Sequence, residues 1–257
     1  MKLLLTNDDS IESVFLHELV RALHHAGHEL YVVAPKTEQS WIGAAKSRHR
    51  PVHSTPVNRG LGCPTWVVDG TPSDCVNIAI AHLLPTRPDA VVSGINIGLN
   101  ASLGFILASG TIAGAWEGAV HGLPAVAFSQ DLPLEQFESV RQNKGKPNAE
   151  ILANLQNSAA HAARLVPKFI HATAERSFVV HNVNFPYPCN PDSAVHRTIP
   201  ARVVIPGLFS PQADDGTHRF VFKLGQDISP AQPLTDRTAL ARGFISHTTL
   251  DYTKLGT

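Results

Sequence analysis

This chain of 257 residues is short of several things, and each shortage narrows its function. It has three cysteines, Cys63, Cys75 and Cys189. An odd count at spacings that fit no zinc or redox motif points to a reducing compartment. It has no excess charge, with 21 basic against 21 acidic residues, so nothing argues for a nucleic acid duplex or an anionic membrane as partner. Its fourteen histidines are scattered, and none is spaced as a zinc ligand set. No secretory leader is expected, because the apolar start gives way after a few residues to a polar loop. It also lacks a long apolar run. The nearest to one is the uncharged stretch from Ala90 to Trp116, which carries Ser93, Asn96, Asn100, Ser102, Ser109 and Thr111. That content reads as a soluble strand, a glycine-rich loop and a buried helix start rather than a membrane span.

What the chain does have is an alternation of strands and helices. Leu3-Leu4-Leu5 reads as a buried strand. Residues 12 to 26 form an amphipathic helix with Phe15, Leu19 and Leu23 on one stripe and Gly27 as its terminator. Glu29 to Ala34 is the next strand, which completes a strand–helix–strand unit with a parallel pair. Trp66 to Val68 and Ala90 to Val92 are further strands. Thr71-Pro72-Ser73-Asp74 opens a helix through a capping box, running to about Leu84. A helix from Thr111 to His121, a strand from Pro124 to Ser129, a helix from Asn148 to Val166 and a strand from Phe178 to Phe185 continue the series. After Pro186 the pattern changes to proline-rich sequence with short β-like pieces at Arg202 to Ile205, Arg219 to Lys223 and Gly243 to Thr248. The fold class expected is α/β: a Rossmann-like three-layer sandwich with a mostly parallel sheet and a C-terminal β-hairpin or extended arm. Residues 1–186 form the catalytic part, and 187–257 an antiparallel appendage and return segment.

Three strands end in oxygen-bearing residues. The first runs into Asp8 and Asp9, the second is followed by a loop with Ser40, and the third ends at Asn96. Ligands gather beyond the carboxyl ends of parallel strands, so neighbouring strands would bring these four residues to one edge. Two adjacent carboxylates repel unless a cation lies between them. An all-oxygen set suits a hard divalent ion, Mg²⁺ or Mn²⁺ first, with Ca²⁺ a substitute in a crystal. A solvated turn capped by Asn7 or Asp8 would explain the acidic pair alone.

Ser109-Gly110-Thr111 opens a helix. Free N–H groups there favour an anion, and the two hydroxyls suit phosphate oxygens, although an ordinary N-cap serine reads the same way. Gly94-x-Asn96-x-Gly98-x-Asn100 is neither a Walker loop nor a dinucleotide fingerprint. A cation beside an anion-binding helix start suggests phosphate ester hydrolysis, with Asp8 or Asp9 orienting or deprotonating the attacking water.

Together these motifs resemble the SurE family, the survival-protein 5'/3'-nucleotidases. The resemblance rests on Leu4-Leu5-Thr6-Asn7-Asp8-Asp9, on Val33-Ala34-Pro35 with Ser40, and on Asp69-Gly70-Thr71-Pro72-Ser73-Asp74-Cys75-Val76. It continues through Ser93-Gly94-Ile95-Asn96-x-Gly98-x-Asn100, Ser109-Gly110-Thr111, Asn182-Val183-Asn184-Phe185-Pro186 and Gly243-Phe244-Ile245-Ser246. It implies a metal-dependent phosphatase of nucleoside monophosphates. Asp8, Asp9, Ser40 and Asn96 would hold one divalent metal, with Asp8 and Asp9 catalytic. Asn100, Ser109, Gly110 and Thr111 would surround the phosphate. It further implies a cytoplasmic homodimer or homotetramer assembled through the C-terminal arm, with a nucleoside monophosphate or small phosphate ester as ligand and no membrane.

The chain departs from the family pattern in places. Ser10 replaces a glycine after the aspartates and the Ala-Pro-Gly that normally follows is missing, Trp41 replaces a glycine after Ser40, Gly104 stands near an expected aspartate, and Ala108 replaces a tyrosine before Ser109. The Asn100–Ser109 loop is one residue longer. These changes line the entrance to the phosphate. The competing readings are a broad acid phosphatase or short-chain polyphosphatase, a nucleoside hydrolase, and a paralogue that binds nucleotide or metal without turnover.

Overall fold

The computed structural model describes residues 1–143 and 145–256. Thr257, the end of the expected appendage, lies outside the described residues. Eleven strands occur among them: β1 (Lys2–Thr6), β2 (Glu29–Pro35), β3 (Ser54–Pro56), β4 (Thr65–Val68), β5 (Ala90–Ile97), β6 (Ala125–Gln130), β7 (Val179–Phe185), β8 (Val195–Thr198), β9 (Val203–Val204), β10 (Gln226–Asp227) and β11 (Ile245–Asp251). The helices are α1 (Val14–His25), α2 (Pro72–Ile78, extended by a π turn over Ala79–Leu83), α3 (Leu103–Ala108), α4 (Gly110–Val120), α5 (Leu134–Gln142), α6 (Ala149–Ala172) and α7 (Asp236–Ala241).

Nine strands form one sheet in the order β3-β4-β2-β1-β5-β6-β7-β11-β8, parallel from β4 to β7. β11 runs antiparallel to β7 and parallel to β8. The expected three-layer α/β architecture with a mostly parallel sheet is what forms. From β1 the chain winds first to β2 on one side and later to β5 on the other. The boundary between β1 and β5 is therefore a topological switch point, with Leu3 opposite Ala90 and Thr6 opposite Ser93.

Both faces of β1 are covered. Leu3 and Leu5 pack with Phe15, Leu16, Leu19 and Leu23 of α1 and with α6, while Leu4 faces Val76 and Ala79 on the α2 side. Alternate side chains of a strand point to opposite faces, so three consecutive leucines mark a strand sealed on both. Each fully buried leucine contributes roughly 1.5–3 kcal/mol. Thr71 caps α2 as expected, its hydroxyl accepting from Asp74 N while the Asp74 carboxylate accepts from Thr71 N.

α4 lies directly on β1 and β5 because glycines face them. A Cβ on Gly114 would come within 2.8 Å of Thr6 Cγ2, and one on Gly118 within 2.5 Å of Val91 Cγ2. The Gly114-x-x-x-Gly118 spacing thus serves a helix-on-sheet contact. No helix among the described residues is long and apolar enough to cross a membrane.

Some elements differ from the sequence expectation. β5 continues to Ile97 instead of stopping at Val92, with a register shift against β6 between Ser93 and Asn96. The Asn100–Ser109 segment holds a short helix, α3, and is not all loop. α6 passes through Pro167, where a stop was expected. An internal proline costs about 3 kcal/mol. Burying Phe169 and Ile170 in the next turn returns roughly 3–6 kcal/mol, so the helix continues.

Residues after 186 contribute two strands to the main sheet, β8 and β11. Between them an arm over residues 202–228 is closed by the antiparallel β9–β10 pair and by a bridge between Phe209 and Phe220. This is the C-terminal hairpin anticipated from the proline-rich tail.

Candidate active site

The loop after β1 carries Asp8 and Asp9 past the end of the strand, at the switch point. Asp8 is 3% exposed. Its Oδ1 accepts from the Thr111 hydroxyl at 2.5 Å, and its backbone carbonyl accepts from Gln39 N at 2.7 Å. Asp9 Oδ2 accepts from Ile97 N at 3.0 Å, the last residue of β5. The two acidic side chains are thus fastened to different elements, Asp8 to α4 and Asp9 to β5.

Burial pushes the Asp8 carboxyl up to about 6, with the Glu38 carboxylate adding to the rise and the Thr111 hydroxyl and N–H opposing it. Burial and the neighbouring Asp8 hold Asp9 well above the ordinary carboxylate range. A buried acid beside a half-buried one, with no lysine or arginine paired to either among the described residues, keeps its charge only at a cost.

Asn96 sits at the irregular end of β5. Its Nδ2 donates to the Gly98 carbonyl at 2.7 Å, which fixes the amide and leaves Oδ1 as an acceptor. The turn that places it needs Gly94, at φ +120°, where a Cβ would fall 2.3 Å from the Phe128 carbonyl. Asn7 Oδ1 is a further buried acceptor without a donor, beside the two aspartates. Ser40 is exposed, and its hydroxyl takes no hydrogen bond among the described residues.

The loop bearing Ser40 reaches the site through Gln39. A Cβ built on Gly110 would meet Asp8 Cβ at 2.8 Å, Asp8 Oδ2 at 2.9 Å and the Gln39 carbonyl at 3.0 Å. Gly110 is what lets the start of α4, the Asp8 carboxylate and the second loop converge.

The residues expected around a phosphate lie at this end of the sheet, with some of their groups already engaged. Ser109 Oγ accepts from Ile112 N at 3.1 Å and so caps α4. The Thr111 hydroxyl is spent on Asp8. Asn100 donates through Nδ2 to Ser129 Oγ at 2.8 Å, and its backbone N–H donates to Asn184 Oδ1 at 2.7 Å.

The donor chemistry fits a hard cation: acceptors from Asp8, Asp9, Asn7 and Asn96 lie at one strand junction, with no arginine or lysine paired to them among the described residues. No group of three or more histidine, cysteine, aspartate or glutamate side chains is placed to hold a metal among the described residues. Any ion here would depend on two carboxylates completed by neutral oxygens.

Comparison with known proteins gives the family. The family model for survival protein SurE matches residues 3–203. The chain belongs to the SurE family. It is 36% identical to the 5'-nucleotidase SurE of Desulfovibrio desulfuricans over 253 residues, covering 97% of this chain and 92% of that protein. It is 30% identical to the 5'-nucleotidase SurE of Synechococcus elongatus over 262 residues, covering 98% and 94%. The crystal structure of the SurE protein from Aquifex aeolicus superposes with a TM-score of 0.72 at 26% identity, covering 98% of this chain and 93% of that one.

This SurE chain also holds site residues to which sequence reasoning gave no role. Asn182 and Asn184 appear there only as landmarks, yet both donate through Nδ2 to the Asn100 carbonyl, at 2.9 and 3.3 Å. Their spacing of two places them on one face of β7. Asparagine is uncommon inside strands, so a repeated Asn-x-Asn in an apolar strand is the signal that could have found them. Asp236, in the C-terminal segment, accepts from Ser102 N at 2.8 Å and Ala201 N at 2.9 Å, which anchors the start of α3. Glu38 acts on both aspartates through its charge, and no motif marked it.

Proposed function

We propose that this chain is a divalent-metal-dependent 5'-nucleotidase that hydrolyses nucleoside monophosphates, with Asp8, Asp9, Ser40 and Asn96 holding one Mg²⁺ or Mn²⁺. The observation that carries this reading is the adjacent carboxylates of buried Asp8 and half-buried Asp9 at the β1–β5 switch point, against the start of α4, with no lysine or arginine paired to them among the described residues. The bound ion would polarise a phosphoryl oxygen and make a coordinated water more acidic.

The chain's own residues do the rest. Asp8 and Asp9 neutralise the ion, and one of them orients and accepts a proton from the attacking water. The water oxygen bonds to phosphorus, the ester P–O bond breaks, and the proton passes to the leaving alkoxide, giving nucleoside and inorganic phosphate. Asn100, Ser109, Gly110 and Thr111 surround the phosphate. The close approach that Gly110 allows supports this, as does the partial positive end of α4, which already steadies the Asp8 anion. The catalytic residues fall within 1–186, and 187–257 supplies the supporting strands and the arm.

The protein acts in the cytoplasm, a reading supported by its three free cysteines. It works as a homodimer or homotetramer. The arm supports this by leaving Phe209, Leu224 and Ile228 more than half exposed, an apolar surface that a second copy would cover.

The test is phosphate release from AMP, GMP, p-nitrophenyl phosphate and tripolyphosphate with Mn²⁺ or Mg²⁺, before and after chelation. Release from the nucleotides that EDTA abolishes and added Mn²⁺ restores is the expected result. Release that EDTA leaves intact, or free base in place of phosphate, would overturn the proposal.

A further inference from the structure

Trp41 follows Ser40 directly, and its backbone is held at φ +62°. That left-handed conformation is free for glycine and unfavourable for a bulky residue, so something must fix it. The loop is pinned on both sides of the indole: Gln39 N donates to the Asp8 carbonyl at 2.7 Å, and Gly43 N donates to the Ala108 carbonyl at 2.9 Å. Only Ser40 separates Trp41 from Gln39, which makes the contact with Asp8, at most about 7–8 Å of chain. The indole is therefore rooted on the rim of the proposed phosphate site.

Three phenylalanines surround it. The Phe105 ring lies 5.4 Å away edge-on, Phe220 at 5.1 Å and Phe222 at 6.2 Å, with Phe222 also 5.9 Å from Phe105. They come from separate places. Phe105 is on α3, inside the segment leading to the start of α4, whereas Phe220 and Phe222 are on the arm. Phe105 is 5% exposed and lies against the Arg237 guanidinium, 5.3 Å from its ring centroid. Trp41, Phe220 and Phe222 keep 38%, 46% and 48% of their surfaces open. A buried inner ring thus supports partly exposed rings, next to a site suited to a phosphate.

A ligand that fits both parts carries a phosphate at one end and a flat aromatic ring at the other. We propose that Trp41, backed by Phe105 and Phe222, determines specificity by stacking on the nucleobase of the substrate. This rests on the nucleotidase reading and extends it. Every base has a π face, so stacking favours any nucleotide over a phosphate ester without a base, while discriminating weakly among bases.

The experiment compares AMP with ribose 5-phosphate on wild type, Trp41→Leu and Trp41→Phe, by kinetics with Mn²⁺ and by titration calorimetry. The ratio of kcat/KM for AMP over ribose 5-phosphate is expected to fall roughly tenfold in Trp41→Leu and to be largely kept in Trp41→Phe, in line with the usual strength of base–aromatic stacking. The calorimetric preference should follow the same pattern. An unchanged ratio in Trp41→Leu, or equal losses for both ligands, would overturn the proposal and assign the rings to fastening the arm. If wild type releases phosphate from neither ester, the nucleotidase reading fails, and calorimetry still decides this one: equal wild-type affinities overturn it, whereas a preference for AMP lost in Trp41→Leu upholds it.

Discussion

The carboxyl edge of β1 and β5 buries Asp8 at 3% exposure, with no lysine or arginine paired to it among the described residues, while the arm leaves Phe209 at 63% and Leu224 at 55%. Both regions reverse the usual placement of charge outside and apolar surface inside. The edge buries charge on a rigid frame of β1, β5 and α4. The arm exposes apolar surface on a hairpin joined by its short β9–β10 pair and the Phe209–Phe220 bridge. Under the proposed function the edge would be completed by positive charge and the arm by a cover. Substitutions should separate the two: damage to the edge should cost activity while sparing the fold, and damage to the arm should change assembly first.

The largest effect is expected for Asp9→Asn. Phosphate release should fall at least about a hundredfold, the usual range for losing an acid–base group. The metal-stripped variant should nevertheless melt at a higher temperature than metal-stripped wild type, because a buried like-charge repulsion is gone. The pH dependence has a definite sign. Both aspartates are raised in the folded state, so in the metal-free protein their contribution to stability is fully present below about pH 4. It is lost as pH rises through the folded value of Asp8, about 6. Asp9→Asn should flatten that loss, and Mn²⁺ should reverse it in wild type by binding the ionised pair. Thermal melts between pH 4 and 8, with and without Mn²⁺, check all three points. A variant that melts lower throughout would mean that Asp9 is a structural anchor through Ile97.

The arm is tested by Leu224→Glu combined with Ile228→Glu. Both side chains are more than half exposed, so the single chain loses little packing by the change. Light scattering should show the assembly reduced towards the mass of one chain, with circular dichroism unchanged. An unchanged mass would remove the arm's apolar surface from any interface.

The same contrast explains how much could be read in advance. The edge was legible because short local runs specify it: Leu3-Leu4-Leu5 makes a strand, Asp8 and Asp9 follow it, and Thr71 to Asp74 form their own capping box. The parallel pairing of β1 with β2 followed from the strand–helix–strand unit, whereas the place of β5 beside β1 was a condition of the shared site, which the structure meets. What escaped depends on contacts between distant residues. α3 has six residues, too few to display a period, and its start is anchored by Asp236, 134 positions away from Ser102. α5 buries only Val140, so its apolar pattern is faint. Asn182 and Asn184 acquire their role when β7 brings them under Asn100, and Glu38 becomes part of the site's charge only because its loop folds back over the two aspartates.

The smallest effect is expected at Ser40, and it sharpens the ranking within the edge itself. Asp8 is buried, Asp9 half-buried, and both carboxylates are fixed by hydrogen bonds to α4 and β5, whereas Ser40 is neutral, exposed and on a loop. A hydroxyl ligand to a hard cation can be replaced by water, since such ions commonly keep several waters. Ser40→Ala should therefore raise the Mn²⁺ concentration for half-maximal activity about two- to tenfold, with kcat at saturating metal within about threefold of wild type. Titration of activity against Mn²⁺ measures both. No shift would remove Ser40 from the ligand set, and a loss as deep as that of Asp9→Asn would mean that the exposed loop, and not the buried carboxylates, limits metal binding.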